Sequence, residues 1–159
     1  MPLTYREPSE QERDDLFEEV VAQLGSQAEE AEAYLGMTRD QFAEIYRTTG
    51  EVRVVLEGGC AVGSVWIEER GRQLHIHAII LKSEARGHGI GTRILQDLRS
   101  EFSPRVDEIE LGVQDSNVDA IRFYKRVGFR KAAVATMPGF SILQWATGRS
   151  AYEAAHAER

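Results

Sequence analysis

The stretch LHIHAIILKSEARGHGIG, residues 74–91, constrains this chain more than any other. An apolar run, Leu74–Leu81, carries two histidines two positions apart. It then gives way to a loop with glycine at every second place: Gly87, Gly89 and Gly91. Beyond the loop, Ile90, Ile94, Leu95, Leu98 and Phe102 recur at helical spacing. The reading is a strand, a bare loop and a helix in direct succession. The first turn of a helix has unpaired N–H groups and the positive end of the dipole. Glycines remove the side chains that would keep an anion away, so a phosphate or pyrophosphate is the natural guest. Arg86 adds positive charge, and Arg93 lies close by in sequence. A plain tight turn that needs glycine for positive φ is the alternative.

Two common nucleotide patterns are excluded. The phosphate-loop pattern Gly-x-x-x-x-Gly-Lys-Ser/Thr is absent. The dinucleotide fingerprint needs Gly-x-Gly-x-x-Gly early in a βαβ unit, whereas this loop is Gly-x-Gly-x-Gly and falls mid-chain.

The rest of the chain supplies the frame. Leu3–Tyr5 is a short strand candidate. Ser9 with Glu12 reads as a capping box opening a helix to about Leu24. Residues 27–35 are read as helical with weak patterning. Thr38 with Gln41 is a second capping box, starting a helix that runs towards Gly50. Glu57-Gly58-Gly59-Cys60 joins two β-rich runs as a hairpin, and a polar turn leads to Leu74–Leu81. Pro104 stops the helix after the glycine loop. Glu108–Val113 alternates as a strand, and Asn117 is placed as an N-cap for a helix ended by Gly128. Strands at about 129–136 and 140–147 form a last hairpin around Pro138-Gly139. The order is β-α-α-β-β-β-α-β-α-β-β: an α/β fold of α+β type, with a mixed, mostly antiparallel twisted sheet flanked by helices. Residues 1–147 read as a single domain and 148–159 as a C-terminal tail.

Charge narrows the partners. The chain of 159 residues carries a net charge of −7. Residues 1–50 hold 12 acids and 4 bases, while residues 51–159 hold 14 acids and 15 bases. A nucleic-acid binder would usually show a net-basic face. The acidic third reads either as solvated helix faces or as a rim that attracts cations. The single cysteine, Cys60, allows no internal disulfide and fits a reducing compartment. No run approaches the length of a membrane span, and the first residues lack the pattern of a signal peptide. The expectation is a soluble cytoplasmic protein with neither nucleic acid nor membrane as a partner.

Arg86-x-x-Gly89-x-Gly91 resembles the acyl-CoA pyrophosphate loop of the GNAT superfamily of N-acetyltransferases, written Arg/Gln-x-x-Gly-x-Gly/Ala. Downstream, NVDAIRFYKRVGF is similar to that family's second cofactor motif at Asn117, Ala120, Phe123, Tyr124, Gly128 and Phe129. The element order over residues 3–147 agrees as well. The resemblance implies a GNAT-like fold and acetyl-CoA as co-substrate, with transfer to a primary amine by direct attack in a ternary complex. It implies that the loop-bearing strand and the next one splay apart, and that the pantetheine arm pairs with backbone at Ile79, Ile80 and Leu81. The pyrophosphate would meet the N–H groups of Arg86, Gly87, His88, Gly89, Ile90, Gly91 and Thr92, with Asn117 on the far side of the arm and Ala120 and Phe123 in the second motif. An N–H near Ile79 would stabilise the oxyanion.

Tyr124 stands at the family's general-acid position, and a phenol arrives at pH 7 carrying the proton a leaving thiolate needs. A core tyrosine bonded to backbone is the alternative. His75 and His77 share one face of their strand and titrate in the range a base for an ammonium substrate needs. Their spacing to Arg86 is similar to that in the serotonin N-acetyltransferases, where the pair is implicated in deprotonating the amine; the likeness is local and does not carry the substrate. Satisfied strand histidines, or Glu110 as the base, are alternatives. A metal site is not expected, because His-x-His supplies two ligands and neither Cys60 nor His88 is placed to add a third. Glu18, Glu19, Glu29, Glu30, Glu32 and Glu44 lie on the helices that usually flank the acceptor cleft in this family. They fit a cationic small-molecule amine, or a lysine or N-terminal amine of a protein. Many relatives dimerise through their last strands, which leaves room for a homodimer. The competing function is a non-catalytic acyl-CoA-binding sensor.

Overall fold

A computed structural model describes residues 1–23, 36–134 and 138–148. The expected helix at 27–35 and the acids Glu29, Glu30 and Glu32 fall outside the described residues, as does most of the tail. The described strands are β1 (Leu3–Arg6), β2 (Glu51–Glu57), β3 (Cys60–Arg70), β4 (Gln73–Leu81), β5 (Glu108–Gln114), β6 (Arg130–Lys131) and β7 (Phe140–Ala146). The helices are α1 (Glu10–Gln23), α2 (Arg39–Thr48), α3 (Ile90–Phe102) and α4 (Val118–Val127), with a short 3-10 turn at Ser83–Ala85. The order agrees with the sequence reading. Among the described residues, the expected strand at 129–136 is reduced to the two residues of β6.

Both capping boxes form. Ser9 Oγ accepts from the Glu12 amide at 3.2 Å, and the Glu12 carboxylate accepts from the Ser9 amide at 3.0 Å. Thr38 and Gln41 repeat the exchange at 3.2 and 2.8 Å. Each box satisfies two of the donors that a helix start leaves unpaired.

The seven strands follow the order β1-β2-β3-β4-β5-β7-β6. β4 and β5 are parallel, and their ladder covers Gln73–Ile76 against Glu108–Leu111. β5 runs antiparallel to β7 along its whole length, from Glu108↔Ala146 to Gln114↔Phe140.

The chain divides into two compact units, Met1–Trp66 with Ala78–Arg86, and Ile67–His77 with Gly87–Arg159. The first unit is built on aromatic packing. Phe17 of α1, Tyr46 of α2 and Trp66 of β3 are buried, with ring centroids 5.3 Å apart for Phe17–Tyr46 and 4.9 Å for Tyr46–Trp66. The Trp66 indole donates to the Thr49 carbonyl at 2.9 Å, so its one polar atom is satisfied. Gly63 of β3 lets the backbone of β4 approach closely: a Cβ there would stand 2.2 Å from the Ile80 carbonyl oxygen.

The second unit buries Ile94, Leu95, Leu98 and Phe102, the apolar stripe of α3, together with Ile109 and Leu111 of β5. Removing this stripe from water contributes about 1.5–3 kcal/mol per large side chain. Gly128 ends α4 at φ 137°, and a Cβ there would lie 2.6 Å from the Trp145 indole nitrogen. Glycine is required at that position twice over, by conformation and by space.

Candidate active site

In the second unit, α3 begins at the glycine loop. Gly89 is its N-cap, with φ 76° and ψ 8°, and Gly87 also has positive φ at 79°. L side chains rarely adopt either conformation. A Cβ at Gly87 or Gly89 would meet nothing within 4 Å, so the approach to both backbones is open. His88 is exposed beside them, and Thr92 is half-buried in the first turn. The Arg93 amide donates to the Gly89 carbonyl at 3.1 Å. The first N–H groups of a helix have no intrahelical partner.

Gly91 differs from its two neighbours. It is buried, and a Cβ there would stand 3.1 Å from Cζ of Phe123. Its glycine lets the Phe123 ring of α4 lie against α3. The two motifs therefore touch each other, which neither motif alone discloses. Ile90 is buried alongside and anchors the turn.

Asn117 caps α4, its side-chain oxygen accepting from the Ala120 amide at 3.2 Å. Further along the helix, Tyr124 is partly exposed and lies against Phe123 and Phe129, at centroid distances of 5.2 and 5.4 Å. Burial pushes its phenol up to about 12, so it holds its proton across the physiological range.

His75 and His77 lie side by side on β4, ring centroids 4.6 Å apart. His75 faces Glu110, its register partner on β5, with Nδ1 3.7 Å from the carboxylate. That separation exceeds a hydrogen bond, and this buried Nδ1 has no hydrogen-bond partner among the described residues. Burial first, and then the nearby charges of His77 and Arg70, push His75 down to about 4. His77 is different. Its Nε2 lies 2.9 Å from Oε1 of Glu68 on β3. Burial lowers its pKa and the Glu68 hydrogen bond opposes that fall. Arg70 holds the same Glu68 oxygen at 2.7 Å. Sequence reasoning alone does not single out Glu68. It sits in a run of mixed charges, and only the placement of β3 beside β4 brings it to His77. No cluster of three or more His, Cys, Asp or Glu able to hold a metal occurs among the described residues.

In the first unit, the end of β4 presents Ile79, Ile80 and Leu81, and Arg86 closes the short turn that follows. The Lys82 amide donates to the Val62 carbonyl of β3 at 2.9 Å. Of the acids in the first third, Glu18 is ion-paired with Arg39.

Solved structures share this fold. PaiA N-acetyltransferase from Thermoplasma acidophilum, in complex with coenzyme A, superposes with a TM-score of 0.67 at 16% identity, covering 92% of this chain and 99% of that one. An uncharacterized N-acetyltransferase of Methanocaldococcus jannaschii is 43% identical over 58 residues, 35% of this chain and 37% of the relative. The thialysine N-epsilon-acetyltransferase of Sus scrofa is 32% identical over 97 residues, 55% of this chain and 53% of the relative. The chain thus spans about half or less of these curated relatives. Residues 13–129 match the Acetyltransferase (GNAT) family. That match runs from within α1 through Phe129, taking in both motifs and every element between them, and the chain belongs to the GNAT acetyltransferase family.

Proposed function

We propose that residues 1–147 act as an acetyl-CoA-dependent N-acetyltransferase that moves an acetyl group to a primary amine by direct attack in a ternary complex. The observation that carries this reading is the bare start of α3, where a Cβ at Gly87 or Gly89 would meet nothing within 4 Å and a helix leaves its first N–H groups without intrahelical partners. A pyrophosphate fits that environment in charge and in shape. Arg86, exposed at the edge of the loop, adds a guanidinium for a further charge-assisted bond. Ile79 and Leu81, on either side of Ile80, supply backbone groups for the pantetheine arm, and an N–H near Ile79 supports the oxyanion.

Bound acetyl-CoA would supply an activated acetyl thioester. The residues of the chain handle the protons. Tyr124, still protonated at neutral pH, donates to the departing sulfur. His77, kept neutral by burial and oriented by Glu68, accepts a proton from the incoming ammonium so that a neutral amine attacks. His75, lowered further, stays neutral beside it and can pass a proton along the pair. The acceptor is a cationic amine, a small molecule or a protein amine. The name of the thialysine relative supports the amine class.

Replacing Tyr124 with Phe tests the catalytic part. Turnover should fall by about 10²-fold or more, while acetyl-CoA affinity measured by calorimetry changes little. A variant with undiminished turnover removes Tyr124 from the chemistry. Acetyl-CoA binding without amine-dependent thiol release, in wild type and variant alike, would favour a non-catalytic sensor.

A further inference from the structure

Backbone groups alternate from one edge of a strand to the other. In the first unit, the Ile80 carbonyl and the Lys82 amide both face β3, the first against Gly63 and the second bonded to Val62. Ile79 and Leu81 therefore turn their carbonyls to the opposite edge. The ladder with β5 covers Gln73–Ile76, so on that edge Ile79 and Leu81 lie past its end.

Both carbonyls are nonetheless occupied. The side-chain amide of Gln23, the last residue of α1, donates to the Ile79 carbonyl at 3.2 Å. Arg86 Nε donates to the Leu81 carbonyl at 3.3 Å. Two side chains far apart in sequence cap two consecutive outward carbonyls of one strand edge. An uncapped edge is a template for pairing with any extended amide chain.

We propose that Gln23 and Arg86 are removable caps on the β4 edge, and that acyl-CoA binds by exchanging them for its own amides. This rests on the acetyl-CoA reading above. The two exchanges differ in energy. Arg86 gives up a neutral carbonyl and gains a pyrophosphate, a stronger charge-assisted partner, so its departure is driven by the ligand. Arrival of the pyrophosphate thereby frees the Leu81 carbonyl for a pantetheine N–H. Gln23 gains no such partner. A neutral amide leaves the Ile79 carbonyl for water while another neutral amide takes its place. The Gln23 cap is thus a standing opposition to the pantetheine arm, and one neutral hydrogen bond sets its size at about 2- to 10-fold in affinity.

The test removes the cap and compares two ligands. Gln23→Met keeps the length of the side chain without its donor, and Gln23→Ala removes both. Calorimetry is run on the full chain with coenzyme A and with adenosine 3′-phosphate 5′-diphosphate, which has the pyrophosphate but no pantetheine arm. Both variants should bind coenzyme A about 2- to 10-fold more tightly than wild type and bind the fragment unchanged. Coenzyme A affinity that is unchanged or weaker overturns the proposal. Equal shifts for both ligands also overturn it, since they report a general effect on the fold. If wild type binds neither ligand, the acetyl-CoA reading itself fails, and the caps lose their role with it.

Discussion

Glu68 Oε1 lies 2.9 Å from His77 Nε2 across two neighbouring strands, and the same oxygen is held by Arg70 at 2.7 Å. The carboxylate therefore does two things to the imidazole: it orients the ring, and it opposes the fall in pKa that burial causes. Arg70 and His75 also lie near the ring, Arg70 lowering its pKa.

Glu68→Ala removes the contribution that raises the His77 pKa and leaves Arg70 without its carboxylate. His77 should then stay neutral to lower pH. The acidic limb of kcat/KM moves to lower pH, and the plateau falls several-fold because the ring has lost its orienting partner. An unmoved limb with an intact plateau would assign the proton to Glu110, to water or to an already neutral amine.

His75 makes stability depend on acid. Its folded pKa is pushed down to about 4 from the ordinary 6.5. Between those values the unfolded chain binds a proton that the folded chain does not, so stability falls as pH drops through this window. The group's full effect is about 3 kcal/mol, approached near the lower end. His75→Gln should flatten that part of the profile in urea unfolding followed from pH 7 to pH 4. Parallel profiles for the two proteins would show that His75 is not the sensor.

Gly63→Ala places a methyl group against the Ile80 carbonyl and 3.0 Å from the Leu81 side chain. Neither backbone can yield cheaply, so the variant should lose about 1–3 kcal/mol. It should also bind coenzyme A more weakly, because the displaced segment carries Ile79 and Leu81. Gly128→Ala crowds Trp145 instead and should cost stability in the same range without a comparable loss of affinity. Thermal melts and calorimetry on the two variants separate these outcomes. Equal losses of affinity would contradict the assignment of Ile79–Leu81 to the ligand.

Local rules make much of this legible. Both capping boxes, the Asn117 cap and the Gly128 stop each depend on a few consecutive residues, and each forms as read. Gly87 and Gly89 adopt the positive φ that glycine allows. Strand alternation puts His75 and His77 together. What the sequence reading misses depends on register between distant segments. Gly91 reads as a third ligand-facing glycine, yet its tightest constraint is the Phe123 ring. Glu68 and Gln23 carry no local signal, because their partners His77 and Ile79 reach them only after β3, β4 and α1 are packed. The last hairpin reads too long in its first strand. Ala132 and Ala133, weak strand formers, follow directly on Lys131; among the described residues β6 covers Arg130 and Lys131, with one further bond to β7 from the Ala132 amide to the Ile142 carbonyl at 2.8 Å.

Acetyl transfer from acetyl-CoA to an amine consumes the thioester and releases a free thiol. The most direct measurement follows free thiol from acetyl-CoA, with the purified chain, across a panel of polyamines, arylalkylamines, amino sugars and lysine-bearing peptides. Thiol release should depend on both the protein and at least one cationic amine, with an acetylated amine formed in equal amount. No amine-dependent release across the panel, from a protein that binds acetyl-CoA in calorimetry, would contradict it.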